Sequence, residues 1–161
     1  MTATIHFTHG FIGFGKTTVA KKLAAELPAV RLNNDEFMVR LYGRNPPEEI
    51  FQDYYARIEE LIWELTEQIV NVNIDVIIDA GVWSREARKK AFDRARQMTD
   101  KVIFHNVMCD METAKQRAIA RTSIGEHELV TDENVFEMLL PKFEPISPDE
   151  GYTIINHKSG K

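Results

Sequence analysis

The sequence predicts an α/β protein of three layers, with five parallel strands between helices on both faces. Three observations carry that expectation. Short apolar, β-prone runs alternate with stretches of helical periodicity along the chain, the pattern of strands joined by helical crossovers. A glycine-rich turn, Gly10-Phe-Ile-Gly-Phe-Gly15-Lys16-Thr17-Thr18, stands between the first such strand and the first such helix. Acidic residues recur where apolar runs end, at Asp35, Asp79 and Asp110. Open α/β sheets bind their ligands at that edge.

The elements follow in order. Thr4 to Thr8 is short and β-prone, and after the turn Val19, Leu23 and Leu27 recur at helical spacing among alanines. Ala29 to Leu32 reads as a second strand ending at Asn33-Asn34-Asp35. A short helix from Glu36 to Tyr42 is stopped by Gly43 and by Pro46-Pro47. Pro47 suits the first turn of a long helix from Glu48 to Asn71. Ile50, Phe51, Tyr54, Ile58, Leu61, Ile62, Leu65 and Ile69 give that helix one apolar stripe. Ile74 to Ile78 is a buried third strand closed by Asp79. Ser84 is placed to cap a helix through about Met98. Lys101 to Met108 is the fourth strand, and Met111 to Arg121 is helical. Thr122 to Val130 breaks the pattern around Gly125. Thr131 can cap a helix from Asp132 to Phe143, whose last turn Pro141 disturbs. Pro145 and Pro148 mark a loop before a fifth strand, Tyr152 to Ile155.

The 161 residues suit one domain spanning 1–161. No apolar run is long enough for a membrane span and no signal pattern opens the chain, so no membrane partner is expected. The single cysteine, Cys109, excludes an internal disulfide and suits a reducing cytoplasm, where we place the protein. A net charge of −5 without a basic stripe argues against gripping a long nucleic acid and favours small partners. The histidines show no metal-ligand spacing.

The turn matches G-x-x-x-x-G-K-[ST], the phosphate-binding loop, in the strand–turn–helix context that it requires. Its expected contacts are Gly10, Gly13, Phe14, Gly15, Lys16, Thr17 and Thr18, whose backbone amides and helix start cradle a di- or triphosphate such as ATP. Lys16 reaches the β- and γ-phosphates, and the Thr17 hydroxyl ligates Mg²⁺. Phe11, Ile12 and Phe14 are bulky for such a loop; they either cover the nucleotide or pack beneath it. Asp79 has the position of a strand-end acid that holds Mg²⁺ through water or orients an acceptor. Asp35 is either a general base beside the γ-phosphate or, with Asn34, a cap for the helix that follows. Arg117 and Arg121, four apart, share a helical face. Arg85 and Arg88, one helical turn apart on a helix rich in Lys and Arg, read as surface charges or as groups facing a substrate anion, and Arg40 as a solvated helix residue or a substrate contact.

On GFIGFGKTT, Leu32-Asn33-Asn34-Asp35-Glu36, Val76-Ile77-Ile78-Asp79, Arg117-x-x-x-Arg121 and Phe143-Glu144-Pro145, the chain resembles the small P-loop kinases of adenylate-kinase-like fold. More closely it resembles the kinases labelled AAA-family ATPases. That group is similar to the 5′-kinase domain of polynucleotide kinase, to chloramphenicol phosphotransferase and to zeta toxins. The likeness covers nearly the whole chain. It implies an ATP- and Mg²⁺-dependent phosphotransferase acting on a small-molecule acceptor, as a monomer or homodimer. Lys16, Asp35, Arg117 and Arg121 are then catalytic, with Asp35 as base and the two arginines serving a lid at about 122–131 that contains His127. The long helix walls the acceptor pocket, with Asp53, Tyr54 and Tyr55 available for contacts. One departure is Met38, where polynucleotide kinase has an arginine that grips the substrate phosphate. Two other readings stay open: a kinase for nucleic-acid 5′-hydroxyl ends, and a nucleotide-binding regulatory module with little catalysis.

Overall fold

The computed structural model describes residues 2–124 and 129–159. Its strands are β1 (Thr4–His9), β2 (Ala29–Asn33), β3 (Asp75–Gly81), β4 (Lys101–Met108) and β5 (Thr153–Lys158). The helices are α1 (Lys16–Glu26), α2 (Asn34–Tyr42), α3 (Glu48–Asn71), α4 (Arg85–Arg96), α5 (Met111–Ile124) and α6 (Glu133–Leu139). The strands form one all-parallel sheet in the order β2-β3-β1-β4-β5. β1 and β3 are buried along almost their whole length, as central parallel strands are; β3 carries the apolar run Val76-Ile77-Ile78, whereas β1 buries His6, Thr8 and His9 beside Ile5 and Phe7. The register sets Asn33 beside Asp79, and His9 beside Gly81, so the ends of β2, β3 and β1 meet at one edge.

Two cores hold the layers together. In the larger one, Ile5, Phe7, Val76, Ile78 and Phe104 of the sheet pack against Ile58, Ile62 and Trp63 of α3 and Ala91 and Ala95 of α4. The α3 stripe is thus mostly core. The second lies under the glycine-rich turn: Phe11 and Phe14 join Val107, Ala114, Ala118 and Phe136. Phe11 meets Trp83, Phe136 and Phe143 with ring centroids 4.9, 5.0 and 5.6 Å apart. The bulky residues of the turn therefore pack beneath it and do not cover a nucleotide.

Several expectations need correction. The cap of α2 is Asn33, whose Oδ1 accepts from the Glu36 amide at 2.8 Å, so neither Asn34 nor Asp35 caps that helix. The cap of α6 is Asp132, one residue after Thr131, with Oδ1 accepting from Val135 at 2.8 Å. α6 ends at Leu139, and Pro141 falls in a separate 3-10 turn, Leu140–Lys142, because proline has no amide to continue the α pattern. β5 runs on to Lys158: its backbone pairs with β4 through Met108, although its last residues are polar. α5 continues to Ile124, inside the segment taken for a lid; residues 125–128, including His127, lie outside the described residues.

Arg88 is the largest correction. It is fully buried, not a surface charge. It pairs with Glu150 at 2.7 and 2.8 Å and donates to the carbonyls of Val82, Trp83 and Glu144. It thereby ties the loop after β3 to the loop before β5. Arg85 does stay exposed, paired with Asp149. A polar ladder also crosses the sheet: His6 Nδ1 lies 3.0 Å from His105 Nε2, and His105 Nδ1 lies 2.9 Å from His157 Nε2. Asp75 faces the far nitrogen of His6 at 3.5 Å. Among the described residues no helix is long and apolar enough to cross a membrane.

Candidate active site

β1 ends in the glycine-rich turn, which is held from both sides. The Trp83 indole donates to Gly10 O at 3.0 Å, and the Ser159 hydroxyl, beyond β5, donates to Phe14 O. Gly13 has φ 80°, and a Cβ there would lie 2.0 Å from the Ala114 carbonyl of α5, so the close approach of turn and helix needs glycine. Gly15, with φ 100°, starts α1 without a side-chain cap, and no acid occupies the first turn. The opening amides and positive end of α1 are thus left for an anion. The Phe14 ring is buried and its amide donates to Phe11 O at 3.1 Å, so this residue shapes the turn from within. Thr18 is exposed.

Lys16 folds back over the turn, and Nζ donates to Phe11 O at 2.9 Å. Burial pushes its pKa down to about 8, against the pull of Asp79 and Asp35, while Arg121 adds to the depression. Thr17 points to Asp79, donating to Oδ2 at 3.1 Å. Asp79 is 3% exposed and saturated. Oδ1 accepts from Thr8 at 2.8 Å, and Oδ2 also accepts from Arg31 at 3.1 Å and Asn33 at 2.9 Å. Arg31 in turn makes a bidentate pair with Glu36, at 2.8 and 2.6 Å. No group of three His, Cys, Asp or Glu residues able to hold a metal exists among the described residues. The donor set still fits Mg²⁺, which keeps several waters and takes one or two protein groups besides phosphates. The Thr17 oxygen retains lone pairs while it donates, and Asp79, already engaged by four donors, suits contact through water.

Asp35 differs in every respect. Its carboxylate has no hydrogen-bond or ion-pair partner among the described residues, and the residue is exposed. Desolvation raises its pKa, opposed by Lys16 and reinforced by Asp79 and Glu36. Arg121 completes this neighbourhood, sensed by both Lys16 and Asp35, and its Nε is buried without a hydrogen-bond partner. Lys16, Thr17, Asp35, Asp79 and Arg121 therefore converge at one place. Arg117 takes a different post beside Gly15, with Nη1 3.3 Å from Ser159 Oγ and 3.9 Å from the half-buried Cys109 Sγ. Arg40 is exposed, and Met38 is buried in the core, so no side chain at that place faces the site. Asp110 caps α5 by accepting from Thr113 at 2.9 Å.

Of the aromatic candidates on α3, Tyr55 faces the site. Burial and the charges of Asp35 and Glu59 hold its hydroxyl protonated, with a pKa well above the usual value, and the Asn34 side chain lies beside it. Tyr54 stacks on Tyr42 at 4.2 Å, and Asp53 pairs with Arg57 on the outer face. Thr8, Arg31 and Ser159 are site residues that the sequence reading did not single out, while Asn33 and Asn34 entered it only within the motif after β2 and, for Asn34, as a candidate cap. A signal existed for Arg31, a lone cation inside a short apolar strand; the others carry none.

A glycine-rich loop after β1, a lysine and a threonine opening α1, and an acid near the end of β3 in a five-stranded parallel sheet define a P-loop nucleotide-binding protein of the kinase fold group. The chain belongs to the AAA domain family, whose model matches residues 5–146. No curated protein sequence matches it. Among solved structures it is similar to a candidate kinase of Chloroflexus aurantiacus, with TM-score 0.77 and 15% identity over 98% of this chain and 89% of the other. It is similar to a sugar kinase from Janibacter sp., with TM-score 0.66 and 19% identity over 97% and 85%. Chaetomium thermophilum Kti12, solved with ADP-AlF₃, gives TM-score 0.69 and 14% identity over 96% and 88%. At these identities the likeness is one of fold.

Proposed function

We infer that this protein is an ATP- and Mg²⁺-dependent phosphotransferase that moves the γ-phosphoryl group to a hydroxyl of a small molecule. One observation carries the reading: beside the same lysine stand two carboxylates, one fully bonded next to Thr17 and one open with a raised pKa. A passive nucleotide switch has no need of the second. Phosphoryl transfer to a hydroxyl uses such a carboxylate to orient the acceptor and take its proton, and a raised carboxyl pKa suits that task; simple hydrolysis is less favoured because Ala80, not a glutamate, follows Asp79.

The residues divide the work. Loop amides and Lys16 bind the β- and γ-phosphates, and Lys16 leaves its resting bond to Phe11 O to do so. Thr17 directly, and Asp79 through water, would hold Mg²⁺, whose contribution is to neutralise charge on the phosphates. Asp35 accepts the proton of the acceptor hydroxyl and orients its oxygen. Arg121, whose Nε has no protein partner, supplies a fixed donor for the transferring group. Arg117 sits by the glycine turn and supports its shape through Ser159. The test is ADP release with Mg·ATP over a panel of acceptors, with Lys16→Ala as blank. Stimulation by an acceptor in the wild type alone supports the reading; tight ATP binding with no acceptor-dependent release would favour the regulatory module.

A further inference from the structure

Asn34 is the first residue of α2, 3% exposed, and its Oδ1 has no hydrogen-bond partner. The preceding residue is rigidly held: Asn33 spends Oδ1 on the helix cap and Nδ2 on Asp79. The Asn34 side chain therefore has a fixed origin. Tyr55 lies beside this side chain, and Oδ1 stays unpaired. The next residue is Asp35. Two acceptors, an amide oxygen and a carboxylate, thus stand on consecutive residues with no donor for either among the described residues. A buried carbonyl left in that state is a place for a ligand donor.

The surrounding charge selects the ligand further. Arg31 is consumed by its pairs with Glu36 and Asp79. Met38 is buried in the core and Arg40 is exposed. Lys16 and Arg121 are committed to the polyphosphate. Asp35, Glu36 and Glu59 leave the wall acidic. An acceptor bearing phosphate or carboxylate would meet repulsion without a counter-ion.

We propose that Asn34, Asp35 and Tyr55 form the acceptor subsite and that it takes a polyol without an anionic group, presenting two neighbouring hydroxyls. One hydroxyl donates to Asn34 Oδ1 and sets the register. The other donates to Asp35 and reacts: its proton passes to the carboxylate, its oxygen bonds to Pγ, and the bond from Pγ to the bridging oxygen breaks, leaving ADP. Tyr55 positions Asn34 and closes the side of the subsite. The proposal rests on the phosphotransferase reading above.

The experiment uses the full chain and matched probes: glucose, xylitol and adenosine as polyols, with gluconate and glucose 6-phosphate as their anionic counterparts. ATP affinity is measured separately by calorimetry. At least one polyol is expected to stimulate Lys16-dependent ADP release, with kcat/KM at least about tenfold above the matched anion. Asn34→Leu is expected to raise KM for the polyol about tenfold or more while kcat, ATP affinity and the melting temperature hold. A deoxy analogue lacking the second hydroxyl is expected to lose that same factor on the wild type and nothing on Asn34→Leu. Preference for the anion, equal response of both enzymes to the deoxy analogue, or ATP binding with no polyol stimulation overturns the subsite. If Asn34→Leu fails to fold, the deoxy analogue on wild type decides alone. Absence of ATP binding sinks the phosphotransferase reading itself, which keeps the two failures apart.

Discussion

Asp79 and Asp35 lie at the ends of neighbouring strands, within reach of one lysine, and their surroundings have opposite character. Asp79 collects Thr8, Thr17, Arg31 and Asn33, donors from β1, α1 and β2, and is sealed from solvent. Asp35 has none of these, and in the same neighbourhood Asn34 Oδ1 and Arg121 Nε are unpaired among the described residues as well. On the phosphotransferase reading proposed above, the surroundings of Asp79 are the nucleotide half, whose donors are largely in place before the nucleotide binds. The surroundings of Asp35 are then the acceptor half, whose hydrogen-bonding capacity is unspent, which favours whichever molecule supplies the missing donors.

That contrast can be broken in several places. Lys16 serves both halves, so Lys16→Ala should remove turnover altogether, at least about 10³-fold, in steady-state assays. Activity near the wild-type level would dissolve the division. Asp35→Asn should separate the halves: ATP affinity by calorimetry unchanged, kcat lower by about 10²-fold or more. Weaker ATP binding with normal turnover of the bound complex would place Asp35 in the nucleotide half instead.

The lysine also gives the site a pH signature. Its pKa is already pushed down to about 8 in the free protein, and polyphosphate demands the charged form. Above pH 8 binding must therefore take up a proton, and affinity should fall by up to about tenfold per pH unit. Calorimetry in buffers of different ionisation enthalpy would register that uptake; identical heats in all buffers would refute it. At the acid end a different part of the fold answers. His105 and His9, both buried, have pKa values lowered to about 4, and burial lowers those of His6 and His157 too. Groups depressed in the folded state bind more protons when unfolded. Stability should be intact above about pH 6.5 and fall as pH drops toward 4, by at most about 1.4 kcal/mol per unit for each histidine. Urea titrations across that window check it, and His105→Gln should flatten the slope; an unchanged slope would remove the ladder as its source.

How much of this was legible follows from how far apart the partners are in the chain. The glycine turn, its lysine and threonine, and the acid closing β3 are local patterns, and the chain spells them in consecutive residues. The strand order is not local, and neither is the company of Asp79, assembled from residues 8, 17, 31 and 33 only when β2, β3 and β1 come into register. Arg88 misled for the same reason: on a helix with Arg85, Lys89 and Lys90 nothing marks it as the one turned inward onto Glu150. Phe11 and Phe14 left two directions open, and the packing of α6 and the segment through Phe143 chose the lower one.

Composition, periodicity and one loop were enough to determine an α/β sheet with a glycine-rich turn at its edge, since strand, turn and helix propensities act over a few residues. Tertiary structure alone decided which carboxylate would be saturated and which left open, which tyrosine faces the cleft, and which arginine is buried. Those outcomes depend on pairing between strands and on burial. Both are set by contacts tens of residues apart, and no short stretch of the chain contains them.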